Sequence, residues 1–147
     1  MILLRRTALA LIAAMLVVPA QAGQPLVYRG GDFAINGFDP VAYFTEGRPV
    51  AGSEAFVTEW SGAKWLFFNA ENKARFEAAP QDYAPQYGGY CAYAVARGST
   101  APTDPDAWTV YDGKLYLNVN RAIRDLWLTN IPGFVASADA NWPDVLN

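Results

Sequence analysis

Two stretches of the chain repeat one order of apolar and polar positions. In the first, Ala55–Trp60 and Lys64–Phe68 are rich in aromatic and β-branched residues and are separated by Ser61-Gly62-Ala63, which predicts a β-hairpin. Asn69 then stands as an N-cap, Glu71 falls in the first turn, and Asn72 to Ala78 continue a short helix that stops before Pro80. Phe76 and Tyr83 are placed to fold back on the hairpin. In the second stretch, Trp108–Tyr111 and Lys114–Leu117 flank Asp112-Gly113, the strongest short hairpin signal in the chain. Asn118 or Asn120 caps a helix through Arg121 to Leu128, where Ile123, Leu126 and Trp127 have the i, i+3, i+4 spacing of an apolar helix face. Pro132 is expected to end it, with Phe134 close behind. Each stretch reads strand, turn, strand, Asn cap, helix, Pro, aromatic. The match is one of pattern, with spacings differing by a residue or two, and duplication is one reading of it.

The segments around these units are less regular. Gly23 to Gly31 predict a poorly structured leader, and a flexible segment is expected over 23–34. Ile35–Pro40 carries Asn-Gly and Asp-Pro turn signals, Val41–Phe44 is a short apolar segment, and Glu46-Gly47-Arg48-Pro49 breaks the chain again. Between the units, Gly88-Gly89 precede Ala92–Arg97, and Gly98 fits a helix C′ position with Arg97 in the last turn. A helix of about two to three turns is expected there, with a strand as the alternative. Ser99–Asp106 is a loop with two prolines, and Asn141-Trp142-Pro143 suggest an anchored tail. The fold class is α+β: a single small domain over 35–147, made of two hairpin–helix units joined by a short central helix.

The first residues change the picture of location. Met1–Arg6 is short and basic, Ala8–Val18 is apolar, and Pro19-Ala20-Gln21-Ala22 ends in the small-x-small pattern of a signal peptidase site. The apolar run is shorter than the ~20 residues that span a bilayer. A cleavable signal peptide over 1–22, cut after Ala22, and a periplasmic or secreted protein are therefore expected. Gly23 rules against lipid attachment at that position. Arg5-Arg6 are badly flanked for twin-arginine export, which favours the ordinary unfolded route. The formal net charge is −3 over all 147 residues, and loss of Arg5 and Arg6 makes it more negative. Without a basic stripe, neither nucleic acid nor, after signal cleavage, an anionic membrane is an expected partner. Oligomeric state is not readable from the chain.

Several blocks resemble a known family. Lys64–Phe76 with Pro80 and Tyr83, together with Asn36–Phe44, Gln86–Val95 and Asp112–Asn118, are similar to the YHS domain, in particular to the exported stand-alone bacterial proteins of that type, some of which carry selenocysteine. The resemblance covers nearly all of the chain after residue 22. It implies a small module similar to metal-binding treble clefs, with cysteines near the end of the second strand and in the following helix turn. The matching positions here are Phe68 and Asn72, so the resemblance carries no metal chemistry to that motif and no defined reaction.

The candidate chemistry gathers around Cys91, the only cysteine in a chain without histidine. It has no partner for an internal disulfide. If the central helix begins at Gly89 or Tyr90, the thiol lies in its first turn, where free N–H groups favour a thiolate. The alternative is a buried small hydrophobe packed under Tyr87 and Val95. A tetrahedral zinc site is excluded because the chain after residue 22 offers one Cys, no His and no Met. No cofactor is expected; a metal ion on Cys91 with Asp39 and backbone oxygens, or one shared across a dimer, stays open. Asp39 reads as an acid, a ligand, an orienting group for Cys91, or a turn former. Gly88 and Gly89 permit close approach of a ligand, and Tyr43, Tyr87, Tyr90, Tyr93 and Trp108 line a pocket for a small planar or apolar molecule, or serve as core. No phosphate loop, Ser–His pair or dinucleotide fingerprint is present. Three readings follow. The first is a binding or accessory module for a small molecule or another periplasmic protein, leaning away from an enzyme. The others are a thiol-based redox enzyme or sensor using Cys91, and a weak metal binder.

Overall fold

The computed structural model describes residues 23–147, so the signal-peptide reading of 1–22 lies outside the described residues. The fold is mixed α+β. A four-stranded sheet is made of β1 (Arg29–Gly30), β2 (Phe33–Ala34), β4 (Ala63–Phe67) and β3 (Ser53–Trp60), in that spatial order. A separate two-stranded sheet holds β5 (Trp108–Tyr111) and β6 (Lys114–Leu117). Both sequence-predicted hairpins form, Trp60 pairing with Ala63 and Tyr111 with Lys114. Their turns place Ser61 at φ 52° with Gly62 at 76°, and Asp112 at 50° with Gly113 at 71°. Two left-handed central residues are what a tight hairpin needs to match strand twist.

Both Asn caps hold. The Asn69 side chain accepts from Asn72 N at 2.8 Å to open α2 (Ala70–Ala78), and Asn120 accepts from Ile123 N at 2.8 Å to open α5 (Arg121–Leu128). Asn118 is not the cap; it is fully buried. Pro132 does not end α5 but sits in the first turn of α6 (Ile131–Asn141), where its missing N–H costs nothing, and Asn130 caps that helix through Gly133 N. Pro80 likewise opens the short α3 (Pro80–Tyr83). Residues 23–34 are not a trailing leader: they contain β1 and β2, Val27 is buried, and Tyr28 N donates to the Gly88 carbonyl at 2.8 Å. The tail is anchored, Asn141 Nδ2 donating to the Val95 carbonyl at 2.8 Å and Leu146 being buried.

β6 divides the interior. Leu115 and Leu117 face a core with Trp65, Phe67 and Phe76, while Tyr116 between them faces a second core with Tyr87, Tyr90, Val95 and Trp127. Strand alternation puts successive side chains on opposite faces, so one strand supplies both cores. Tyr116 lies 5.2 Å from Trp127, which stacks on Phe134 at 5.8 Å.

The two halves repeat more than their hairpins. The 3-10 turn Ile35–Gly37 leads through extended Phe38 to Asp39 and then α1 (Ala42–Thr45); the 3-10 turn Gln86–Gly89 leads through extended Tyr90 to Cys91 and then α4 (Ala92–Ala96). Ile35, Asn36 and Gly37 are left-handed, as are Tyr87, Gly88 and Gly89. Asp39 N donates to the Val50 carbonyl at 2.9 Å, and Cys91 N to the Ala101 carbonyl at 3.0 Å. Cys91 is therefore the N-cap residue of a five-residue helix, not a member of its first turn, because the turn through Gly88 and Gly89 is a separate left-handed element.

Candidate functional site

Asp39 is fully buried and its carboxylate is saturated. Oδ1 accepts from Val41 N at 2.8 Å and Ala42 N at 3.2 Å; Oδ2 accepts from Phe68 N and Asn72 Nδ2, both at 3.0 Å. The first pair holds the chain where it enters α1, and the second ties Asp39 to the junction of β4 and α2. Four N–H donors satisfy an anion and leave no face for a cation. Among the described residues, Asp39 shares no hydrogen-bond partner with Cys91. The two positions singled out by the family resemblance, Phe68 and Asn72, are both its donors.

Cys91 occupies the corresponding place in the second half. It is 1% exposed. Burial pushes its pKa up, and the backbone N–H groups of Ala94, Val119 and Tyr93 pull it partly back. Tyr93 and Ala94 stand two and three residues after Cys91, as Val41 and Ala42 do after Asp39. Val119 directly precedes the Asn120 cap, as Phe68 precedes the Asn69 cap. The thiol donates to Asn118 Oδ1 at 3.5 Å, and the same oxygen accepts from Tyr93 N at 3.1 Å. Asn118 Nδ2 is buried without a hydrogen-bond partner among the described residues.

The aromatic residues do not form one pocket. Tyr43 packs on Trp108 at 5.4 Å and its hydroxyl donates to the Pro105 carbonyl at 2.9 Å; burial, then the charges of Asp106 and Asp104, raise its pKa. Tyr87 donates to Asp139 at 2.9 Å and Tyr90 to the Pro25 carbonyl at 2.7 Å, and burial is the main reason both titrate high. Tyr93 meets Phe134 edge-on at 5.2 Å. Gly88 and Gly89 are required by the chain's own packing. A Cβ on Gly88, at φ 62°, would run into the Leu26 carbonyl and Trp142, and one on Gly89 into the Ile35 side chain.

Three concavities surround this arrangement. A groove of about 480 Å³ is walled by Leu26, Trp60, Tyr87, Gly88 and Trp142, with Asp82 and Lys114 among its polar lining. A second, of about 470 Å³, is lined by Pro25, Tyr28, Arg29, Tyr90 and Ala101. A larger one, about 1020 Å³, runs along the β3–β4 hairpin between Arg29, Glu54, Glu59 and Lys64 and contains none of the sequence-predicted site residues. Trp60, Trp142 and Leu26 lie far apart in the chain and carry no local signal that they would share a wall. No group of three or more His, Cys, Asp or Glu residues able to hold a metal ion occurs among the described residues. No helix among them is long and apolar enough to cross a membrane.

No family model matches the chain, and neither a curated protein nor a solved structure matches it.

Proposed function

We propose that the chain is an exported, periplasmic or secreted binding or accessory module of YHS type, which takes a small planar or apolar molecule, or an apolar partner segment, in the groove beside the Gly88 turn. The observation that carries this reading is the groove itself. Its volume of about 480 Å³ lies in the usual range for small-molecule sites, and Trp60, Tyr87 and Trp142 give it aromatic walls with Lys114 and Asp82 to fix a polar end. Hairpin, central turn and tail meet there, so occupancy would brace both halves at once. A thiol enzyme is less well supported, because a 1% exposed thiol with a raised pKa is a slow nucleophile. A metal role is less well supported still, since the Asp39 oxygens are taken by N–H donors.

The test is a thermal-shift screen of planar and apolar metabolites, followed by tryptophan fluorescence titration. Leu26 is 51% exposed, so Leu26→Asp alters the wall with little effect on the core. The reading expects a stabilising compound whose Tm shift and quenching are lost in Leu26→Asp. Absence of any stabilising planar or apolar compound, or one indifferent to Leu26→Asp, refutes it.

A further inference from the structure

Arg29 is the one charged side chain in the wall of the cavity of about 470 Å³. It comes from β1, whereas Tyr90 and Ala101 arrive from either side of α4. The wall is fixed by its own bonds. Tyr90 Oη donates to the Pro25 carbonyl at 2.7 Å, Thr100 Oγ1 to Gln24 Oε1 at 2.7 Å, and Cys91 N to the Ala101 carbonyl at 3.0 Å. Tyr28 Oη donates to Asn36 Oδ1 at 3.2 Å, and its ring lies 5.7 Å from that of Tyr90. Both phenol hydroxyls are committed, so what the two rings offer a ligand is apolar surface. Arg29 is not committed in that way. It takes part in neither of the two ion pairs formed among the described residues. Its charge reaches Tyr90: burial raises that phenol's pKa, and the Arg29 guanidinium pulls it partly back. The N–H groups of Thr100 and Ala101, in the same wall, also find no acceptor among the described residues. Arg29 borders the larger groove along the β3–β4 hairpin too, but that one carries Asp32, Glu54 and Glu59, which disfavour an anion there.

We propose that this cavity binds a small planar carboxylate, a benzoate-type anion, with Arg29 on the carboxylate and Tyr28 and Tyr90 beside the ring. A guanidinium holds its N–H groups in a planar fork that matches two carboxylate oxygens. A ligand ring gains from tilted contact with the two tyrosines. The wall holds one guanidinium and no second cation, which matches a single negative charge better than the near-dianion of a phosphate ester. The chain has a formal net charge of −3, so it repels anions over most of its surface, and the local cation decides where one docks. This cavity and the groove beside the Gly88 turn share no lining residue, so the inference stands independently of that one.

The experiment titrates the folded protein with sodium benzoate and follows backbone amide shifts by NMR. Benzamide, which lacks the charge, and acetate, which lacks the ring, are the comparison probes. Benzoate is expected to move the Gly31, Thr100 and Ala101 amides and to bind about tenfold more tightly than either comparison probe. Arg29 is exposed, so Arg29→Gln leaves the core intact. That variant should lose about tenfold in benzoate affinity with benzamide unchanged. Four results overturn the proposal: no saturation below about 10 mM benzoate, benzamide bound as tightly as benzoate, shifts centred on Ser61, Asp82 and Lys114 instead, or an Arg29→Gln variant that binds benzoate as wild type does. The wild-type arms decide it even where the Arg29 variant fails to fold.

Discussion

Asp39 and Cys91 stand in equivalent positions of the two halves. Each follows a left-handed turn and one extended residue, precedes a short helix, and lies beside the residue just before the Asn cap of a longer helix. One residue is a carboxylate with four N–H donors, and the other a buried thiol bonded to Asn118 Oδ1. That difference decides what substitutions should do.

Asp39→Ala removes four hydrogen bonds and strands at least three donors in the core, so it should destabilise by about 3 kcal/mol or more. Urea unfolding measures this directly. A loss under about 1 kcal/mol would mean that water replaces the carboxylate.

Gly88→Ala places a methyl against the Leu26 carbonyl and Trp142 at a left-handed φ of 62°. The expected loss is about 2 kcal/mol or more, with the segment around Leu26 displaced and trypsin cutting faster at Arg29. Gly98→Ala is the comparison. Gly98 is also left-handed but meets nothing within 4 Å, so about 1 kcal/mol is expected.

Asn69→Ala and Asn120→Ala should each cost about 1 kcal/mol, because each removes one cap acceptor from the third helical N–H. Asn69→Ala and Asn72→Ala should be non-additive, since both adjoin the Asp39 cradle.

Alkaline pH should weaken the fold. Burial raises Cys91, Tyr43 and Tyr87, whereas in the unfolded chain the thiol gives up its proton near about 8.5 and the phenols near about 10. The folded state then binds more protons over that range. Stability is full below about pH 8.5, falls as pH rises, and keeps falling until the folded values are passed. Cys91→Ala should remove the earliest part of the fall in a Tm profile; a Tm that rises with pH contradicts the assignment.

Much of this architecture is legible in the chain because it is locally encoded. Asp112-Gly113 and Ser61-Gly62 set their hairpins, and Asn69 and Asn120 set their helices, whatever surrounds them. Pro132 misleads because proline both stops a helix and starts one, and only the Asn130 cap two residues earlier distinguishes the two. Residues 23–34 look structureless because two-residue strands have no periodicity to read; β2 is defined by its parallel pairing of Phe33 with Lys64. The site is harder still. Asp39, Phe68 and Asn72 meet only through tertiary contact, as do Cys91 and Asn118. The likeness of Ile35–Asp39 to Tyr87–Cys91 lies in backbone conformation, with Asn36 and Gly88 both left-handed, more than in residue identity.

The equivalence of the Asp39 and Cys91 positions is tested most directly by urea unfolding of Cys91→Asp beside Cys91→Leu at neutral pH. If the second position repeats the first, the aspartate variant keeps its stability to within about 1 kcal/mol of wild type and exceeds the leucine variant, whose side chain accepts no hydrogen bond. A Cys91→Asp loss of about 3–5 kcal/mol, the penalty of an unpaired buried charge, would contradict it.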